Sequence, residues 1–280
     1  MEKTQNYKKE TMIEVQGHRG QRGHLPENSI PGFLAAIDKG VDVVEMDVVM
    51  SKDKKVVVSH EPFMSAAYVQ TPEGKAIAEE DEKNHNIYEM TYEEIRQYDI
   101  GSKGNSRFPE QQQLKTYKPL LSEAIDSIEN HIAERNKKPV KYNIEIKSVP
   151  EEYGVFQPKP EVFVDAVMEV LQEKNIVDKS YIQSFDPEIL EVMHREFPEV
   201  QLAYLVGEGE FDLNMQKLSF QPEIYSPHYE LLDQQLVDKI QERGMKVIPW
   251  TVNDQQAIDQ IKALGVDGII TDYPERAIKE

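Results

Sequence analysis

Two histidines, three carboxylates and two cations stand within or just beyond short apolar runs of this chain. His18-Arg19-Gly20 follows a run over 13–17, Glu45 and Asp47 lie inside a run over 41–50, His60 follows one over 55–59, and Glu145 and Lys147 belong to one over 142–147. Side chains alternate across a strand, so Glu45 and Asp47 share one face, as do Asn143, Glu145 and Lys147. Three carboxylates brought together repel unless they are protonated or balanced by cations. A divalent ion with oxygen ligands is therefore the natural partner of Glu45, Asp47 and Glu145. His18 and His60 can exchange protons near neutral pH. Arg19 can grip phosphate oxygens while Gly20 lets a ligand approach the backbone, and Lys147 can neutralise phosphate charge beside the metal. Proton transfer, phosphate binding and metal binding are the chemistries these residues suit.

Each of these residues also has a plainer role. Arg19 can pair with Glu27 simply to hold its turn, Lys147 can bridge to one of the carboxylates, and a carboxylate can serve solubility or a strand-end hydrogen bond. The chain has seven histidines, so their number alone says little. Trp250 can wall a ligand site or fill the end of the fold, and His228, after Pro227, can line a rim. The turn with Gly20 and Gly23 lacks the spacing of a dinucleotide-binding loop.

The elements that must position these groups read as strands alternating with helices. Strands are expected over 13–17, 41–50, 55–59, 142–147, 181–183, 201–206, 223–225, 246–250 and 268–271. Helices are expected after Asn28 or Ser29, from Pro119, over about 160–173, 187–195 and 231–243, and from Asn253 or Asp254 to Leu264. This order is that of a parallel α/β fold, and its many repetitions favour a TIM (β/α)8 barrel over an open sheet. No helix separates 55–59 from 41–50, so 55–59 is expected as a hairpin extension. The chemistry-bearing residues then gather at strand carboxyl ends, where a barrel builds its active site.

Between Glu61 and Lys118 the pattern lapses. Pro62, Pro72, Gly74, Gly101, Gly104 and Pro109 interrupt it, and only 91–98 reads as a helix, with Thr91 and Glu94 placed as a capping box. So long an irregular stretch in a compact domain reads as an active-site insertion or lid. The organisation expected is a polar N-terminal extension over 1–12 and one catalytic barrel domain over 13–280 that includes the insertion at 61–118.

With 280 residues, 39% of them hydrophobic, the chain can bury a substantial core. Its formal net charge of −19 opposes general nucleic-acid binding but leaves room for a local phosphate pocket. There are no cysteines, which removes disulfide and thiolate chemistry. No apolar run reaches the roughly 20 residues of a spanning helix, so a soluble protein, cytoplasmic or exported, is expected.

Taken together and in order, these residues resemble the glycerophosphodiester phosphodiesterase family. The likeness rests on His18-Arg19-Gly20, Pro26-Glu27-Asn28-Ser29, Glu45-Met46-Asp47, the strand ending at His60, and Glu145-Ile146-Lys147. It continues in Trp250-Thr251-Val252-Asn253 and Asp267-Gly268-Ile269-Ile270-Thr271-Asp272-Tyr273-Pro274, and so covers most of the chain outside the insertion. The resemblance implies a TIM barrel that hydrolyses glycerophosphodiesters to an alcohol and glycerol 3-phosphate with a divalent cation, Ca2+ or Mg2+. It implies Glu45, Asp47 and Glu145 as metal ligands, His18 and His60 as the acid–base pair, and Arg19 and Lys147 as phosphate binders. Glu27 would order or supplement the metal shell. It also implies attack by a glycerol hydroxyl on phosphorus, giving a cyclic phosphate that water opens. The sequence departs from the family pattern at Glu61, where aspartate more often follows the histidine, and at Ser29, which replaces a common threonine. Two alternatives stand beside this reading: a related lyase or phospholipase that stops at the cyclic phosphate, and a barrel that binds phosphodiesters without turning them over.

Overall fold

A computed structural model describes residues 13–278; the N-terminal extension expected over 1–12 lies outside the described residues. The elements run β1 (Glu14–Gly17), α1 (Ile30–Lys39), β2 (Val43–Met50), β3 (Val56–Val58), α2 (Tyr92–Ile95), α3 (Leu121–Arg135), β4 (Lys141–Ile146), α4 (Pro160–Glu173), β5 (Ser180–Ser184), α5 (Pro187–Glu196), β6 (Gln201–Val206), α6 (Phe211–Met215), β7 (Ile224–Pro227), α7 (Gln234–Glu242), β8 (Lys246–Val247), α8 (Gln255–Ala263), β9 (Gly268–Thr271) and α9 (Pro274–Ala277). Parallel pairing gives the order β8-β7-β6-β5-β4-β2-β1-β9. Backbone bonds from Asp267 N to the Val247 carbonyl (2.9 Å) and from Ile270 N to the Pro249 carbonyl (3.0 Å) bring β9 back to β8 and nearly close a (β/α)8 barrel. The strand expected over 246–250 is regular for two residues only. Pro249 has no N–H to contribute to a ladder, and the pairing there thins to single bonds such as Trp250 N to the Pro227 carbonyl.

Period-two alternation decides what each strand sends inward. Val44, Met46 and Val48 of β2 join the core beneath the helices, together with Phe33 of α1, Leu121 of α3 and Phe163 of α4. Val43 faces the other way and packs inside the barrel with Tyr181, Ala203, Ile224, Ile248 and Ile270. Fully burying an aliphatic or aromatic side chain of this kind contributes about 1.5–3 kcal/mol. Glu45 and Asp47 share the inward face with Val43, and parallel register places Glu145 of β4 directly across from Asp47. The helices carry their own signals: Ser29 Oγ accepts from Gly32 N at the start of α1, and Asp186, followed by Pro187, caps α5.

β3 pairs antiparallel with β2, Val48 opposite Val58, as expected of a hairpin extension. The insertion that follows is tied to it through a second apolar cluster. Met64, Tyr68, Val69, Ile77, Ile87, Tyr92, Ile95 and Ile100 pack against Val49 and Val57 of the barrel strands. The helix expected over 91–98 is the single turn α2, capped as anticipated by Thr91, whose N and Oγ1 each lie 2.8 Å from Glu94 Oε2. Only Tyr92 and Ile95 of this turn are buried, so no apolar face exists to extend it.

Candidate active site

β1 ends in a tight reversal that presents His18 and Arg19 at the barrel mouth. Gly20, at φ +87°, lies where a Cβ would come within 2.5 Å of Gly32, so the reversal requires glycine. Arg19 itself takes φ +52° and Asn28 φ +51°, a left-handed conformation that L side chains adopt at a cost and that concentrates at functional sites. Hydrogen bonds hold both. Arg19 N donates to Glu45 Oε2 at 2.7 Å, and Asn28 Nδ2 donates to Asp47 Oδ2 at 2.7 Å.

Glu45, Asp47 and Glu145 each offer a carboxylate oxygen within 4.8 Å of the others. All three are buried. Gln183 Nε2 donates to Glu45 at 3.0 Å, and Lys147 Nζ donates to Glu145 at 2.6 Å. Asp47 Oδ1 has no hydrogen-bond partner among the described residues and lies 3.9 Å from Lys147 Nζ. Burial, reinforced by Asp47 and Glu145, pushes the Glu45 carboxyl well above the usual carboxylate range, and burial raises Glu145 as well. Burial works the same way on Asp47, but Arg19, His60, Lys147 and His18 outweigh it and hold that carboxyl well below its usual range. Buried oxygens, one without a hydrogen-bond partner among the described residues, and carboxyls whose pKa is raised first by burial and then by neighbouring carboxylates are the features expected of a donor set suited to a hard divalent cation.

Two imidazoles flank this triad, and a carboxylate holds each at Nδ1. His18 Nδ1 lies 2.7 Å from Asp272 Oδ1, and His60 Nδ1 lies 3.1 Å from Glu61 Oε1. Neither Nε2 has a partner among the described residues. Burial lowers the His18 pKa to about 4, with Arg22 and Arg19 adding to the fall and Asp272 opposing it, so that imidazole is neutral at neutral pH. Asp272 is fixed in turn by Asn253 Nδ2 at 2.7 Å and by the Arg22 guanidinium, whose Nε lies 2.7 Å away but off the hydrogen-bonding axis. Glu61 accepts from Tyr68 Oη at 2.8 Å. Burial opposes the Glu61 charge, but His60 and the buried Lys118 hold the carboxyl well below its ordinary range.

Arg19 Nη1 donates to Glu27 Oε1 at 2.7 Å, and its Nε lies 3.1 Å from Asp47 without hydrogen-bond alignment. The plainer pairing of Arg19 with Glu27 and of Lys147 with Glu145 is thus present in the structure. It leaves both cations beside the triad, where a phosphate would also meet them. Glu27 is committed to Arg19 and lies 3.6 Å from Arg22; it stands outside the carboxylate triad. The cavity at the mouth measures about 390 Å³ and is lined by His18, Arg19, Glu45, His60, Glu145 and Lys147, with an apolar wall of Phe185, Leu205, Trp250 and Ile270. Trp250 is therefore part of the wall, anchored by Nε1 to the Ser226 carbonyl at 2.9 Å. His228 stacks edge-on against Trp250 at 5.2 Å and is not among the lining residues.

Spacing along the chain assigns no side-chain role at the site to Asp272, Arg22, Asn28, Gln183, Phe185 or Arg107. Asp272 carried a usable signal, since it follows the last strand just as His18 follows the first. Gln183 had one too, at an alternate position of β5. Arg22 and Arg107 lie in irregular segments, where spacing predicts no direction.

The Glycerophosphoryl diester phosphodiesterase family model matches residues 18–276, and the chain belongs to that family. It is a phosphoric diester hydrolase acting on glycerophosphodiesters. A glycerophosphodiester phosphodiesterase of Caldanaerobacter subterraneus subsp. tengcongensis is 28% identical over 264 residues, covering 94% of this chain and 96% of that protein. A solved structure from Silicibacter pomeroyi, named a putative glycerophosphoryl diester phosphodiesterase, is 28% identical, with a TM-score of 0.83 and coverage of 95% of this chain and 92% of that one. The fold also matches an Oleispira antarctica phosphodiesterase solved with its product sn-glycerol-3-phosphate, at 24% identity, a TM-score of 0.74 and coverage of 95% for each chain.

Proposed function

We propose that this chain hydrolyses glycerophosphodiesters with a divalent cation, Ca2+ or Mg2+, held by Glu45, Asp47 and Glu145, and releases glycerol 3-phosphate and an alcohol through a cyclic phosphate. The observation that carries this reading is one cavity lined by Glu45 and Glu145 of the buried carboxylate triad and by two imidazoles, each held at Nδ1 and without an Nε2 partner among the described residues. When bound, the cation supplies positive charge for the phosphoryl oxygens at the triad.

The chain's own residues do the rest. Lys147 and Arg19 bind and orient the phosphate, adding fixed positive charge where negative charge grows in the transition state. His18, neutral and aligned by Asp272, takes the proton of the glycerol hydroxyl as its oxygen bonds to phosphorus. His60, on the more open side of the cavity at 31% side-chain exposure against 11% for His18, gives a proton to the departing alcohol as its P–O bond breaks. In the second step the roles reverse: His60 takes a proton from water as the water oxygen bonds to phosphorus, and His18 returns its proton to the glycerol oxygen as the ring opens. Phe185 and Trp250 shield the site from bulk water. Glu27 holds Arg19 in place.

Glycerol 3-phosphate release from a panel of glycerophosphodiesters tests this reading, with cation-stripped protein, added Ca2+ or Mg2+, and H18A and H60A variants. Turnover that requires the cation and collapses in both variants is expected. Cyclic phosphate as the end product would reject the second step. Binding without turnover under every cation condition would reject the hydrolytic assignment.

A further inference from the structure

The cations around the cavity divide into two kinds. Arg19, Arg22 and Lys147 each bridge to carboxylates of the site, Arg22 through Asp272 and Glu27. Arg107, which also lines the cavity, is exposed, and its guanidinium has no ion pair or hydrogen bond among the described residues. Its position is nevertheless built. Asn105 Oδ1 accepts from Arg107 N at 3.1 Å, and the adjoining Phe108 ring lies 4.5 Å from the Arg22 guanidinium. Gln111 Nε2 donates to the carbonyls of Arg22 (2.9 Å) and Leu25 (2.8 Å), and Gln112 N donates to that of His24. These bonds clamp residues 105–112 of the insertion onto the loop that carries His18 and Arg19, and so hold an uncommitted cation at the rim of the mouth.

We propose that Arg107 recognises an anionic group on the alcohol part of the substrate. The enzyme then favours glycerophosphodiesters whose alcohol carries a carboxylate or phosphate over those whose alcohol part is neutral or cationic. The proposal rests on the phosphodiesterase reading above. The scissile phosphate belongs beside the triad with Lys147 and Arg19, and the remainder of a diester that fills the cavity extends outward, toward the insertion. A guanidinium matches both a carboxylate and a phosphate bidentately. In a chain whose formal net charge is −19, a multiply anionic substrate meets long-range repulsion, which one uncommitted cation at the mouth offsets locally.

Two matched pairs separate the contribution of the anion from everything else. Glycerophosphoserine differs from glycerophosphoethanolamine by one carboxylate, and glycerophosphoinositol 4-phosphate differs from glycerophosphoinositol by one phosphate. In the wild-type protein with its cation, kcat/KM for the anionic member of at least one pair is expected to exceed that of its partner by about tenfold. The pair that shows the preference identifies the anion read. In Arg107→Gln that ratio falls to about one, and in Arg107→Lys it is partly retained. Wild-type ratios near one in both pairs would overturn the proposal. So would Arg107→Gln lowering both members of the preferred pair by the same factor, because Arg107 would then serve the scissile phosphate. If no diester is turned over, the hydrolytic reading fails separately, and calorimetric affinities for the same pairs take the place of kcat/KM. Equal affinities within each pair would then overturn the proposal.

Discussion

The two histidines stand in opposite kinds of surroundings. His18 is enclosed where β1 meets β9, with Asp272 fixed behind it by Asn253 and Arg22. His60 stands where the hairpin strand hands over to the insertion, 31% exposed at its side chain, with Glu61 steadied by Tyr68 and the charge of Lys118. One imidazole is held by the barrel frame and the other by an irregular segment packed against it. A closed barrel fixes directions through its register, whereas the insertion must build its own support from scattered apolar and polar contacts. Both arrive at the same local result, a carboxylate on Nδ1 and an Nε2 without a partner among the described residues.

The largest expected effect treats the two histidines alike: H18A and H60A each lower kcat/KM by about 10²–10⁴-fold, measured as glycerol 3-phosphate release. Nearly full activity in either variant would remove that histidine from the chemistry. Their supports should separate them. Asp272→Asn is expected to lower kcat by about 10²-fold and Glu61→Gln by about tenfold, since the more exposed His60 can recruit water in place of its carboxylate. The opposite order would break the contrast between frame and insertion. The triad offers a sharper test of its own. Burial and the neighbouring Asp47 and Glu145 charges raise the proton affinity of Glu45, so cation binding is expected to release protons and to tighten as pH rises. Titration calorimetry in buffers of different ionisation enthalpy reads this directly, and heats independent of the buffer would contradict it.

The smallest effect concerns stability. The folded state holds His18 near 4, below the 6.5 of an unperturbed histidine, so the unfolded chain binds a proton first as pH falls. The stabilisation from a neutral, buried His18 is complete above 6.5 and is lost between 6.5 and about 4. In cation-free protein, Tm of the wild type should therefore fall more steeply across that window than Tm of His18→Asn, by a few degrees. Parallel curves would show that His18 is not held neutral.

How much of this was legible in sequence follows from periodicity. The triad could be read because its members sit at alternate positions of long apolar strands, and the hairpin because nothing helical separates residues 55–59 from 41–50. The short helices α6 and α9 left no such trace, since five and four residues span too little of a 3.6-residue period. The irregular character of 61–118 was visible. Its packing against Val49 and Val57 was not, because its Tyr, Met and Ile residues recur at no fixed spacing.

By itself, then, the order of residues determined the barrel, the carboxylates that face inward and the two histidines at strand ends, because each depends on local alternation and on turn chemistry. Only the tertiary structure decided which groups support them. Asp272 reaches His18 from 254 residues away, Gln183 reaches Glu45 from 138, and Arg107 is brought to the mouth by bonds between the insertion and the first loop. Such pairings depend on closure of the barrel and on one segment folding over another, and spacing along a chain carries no record of either.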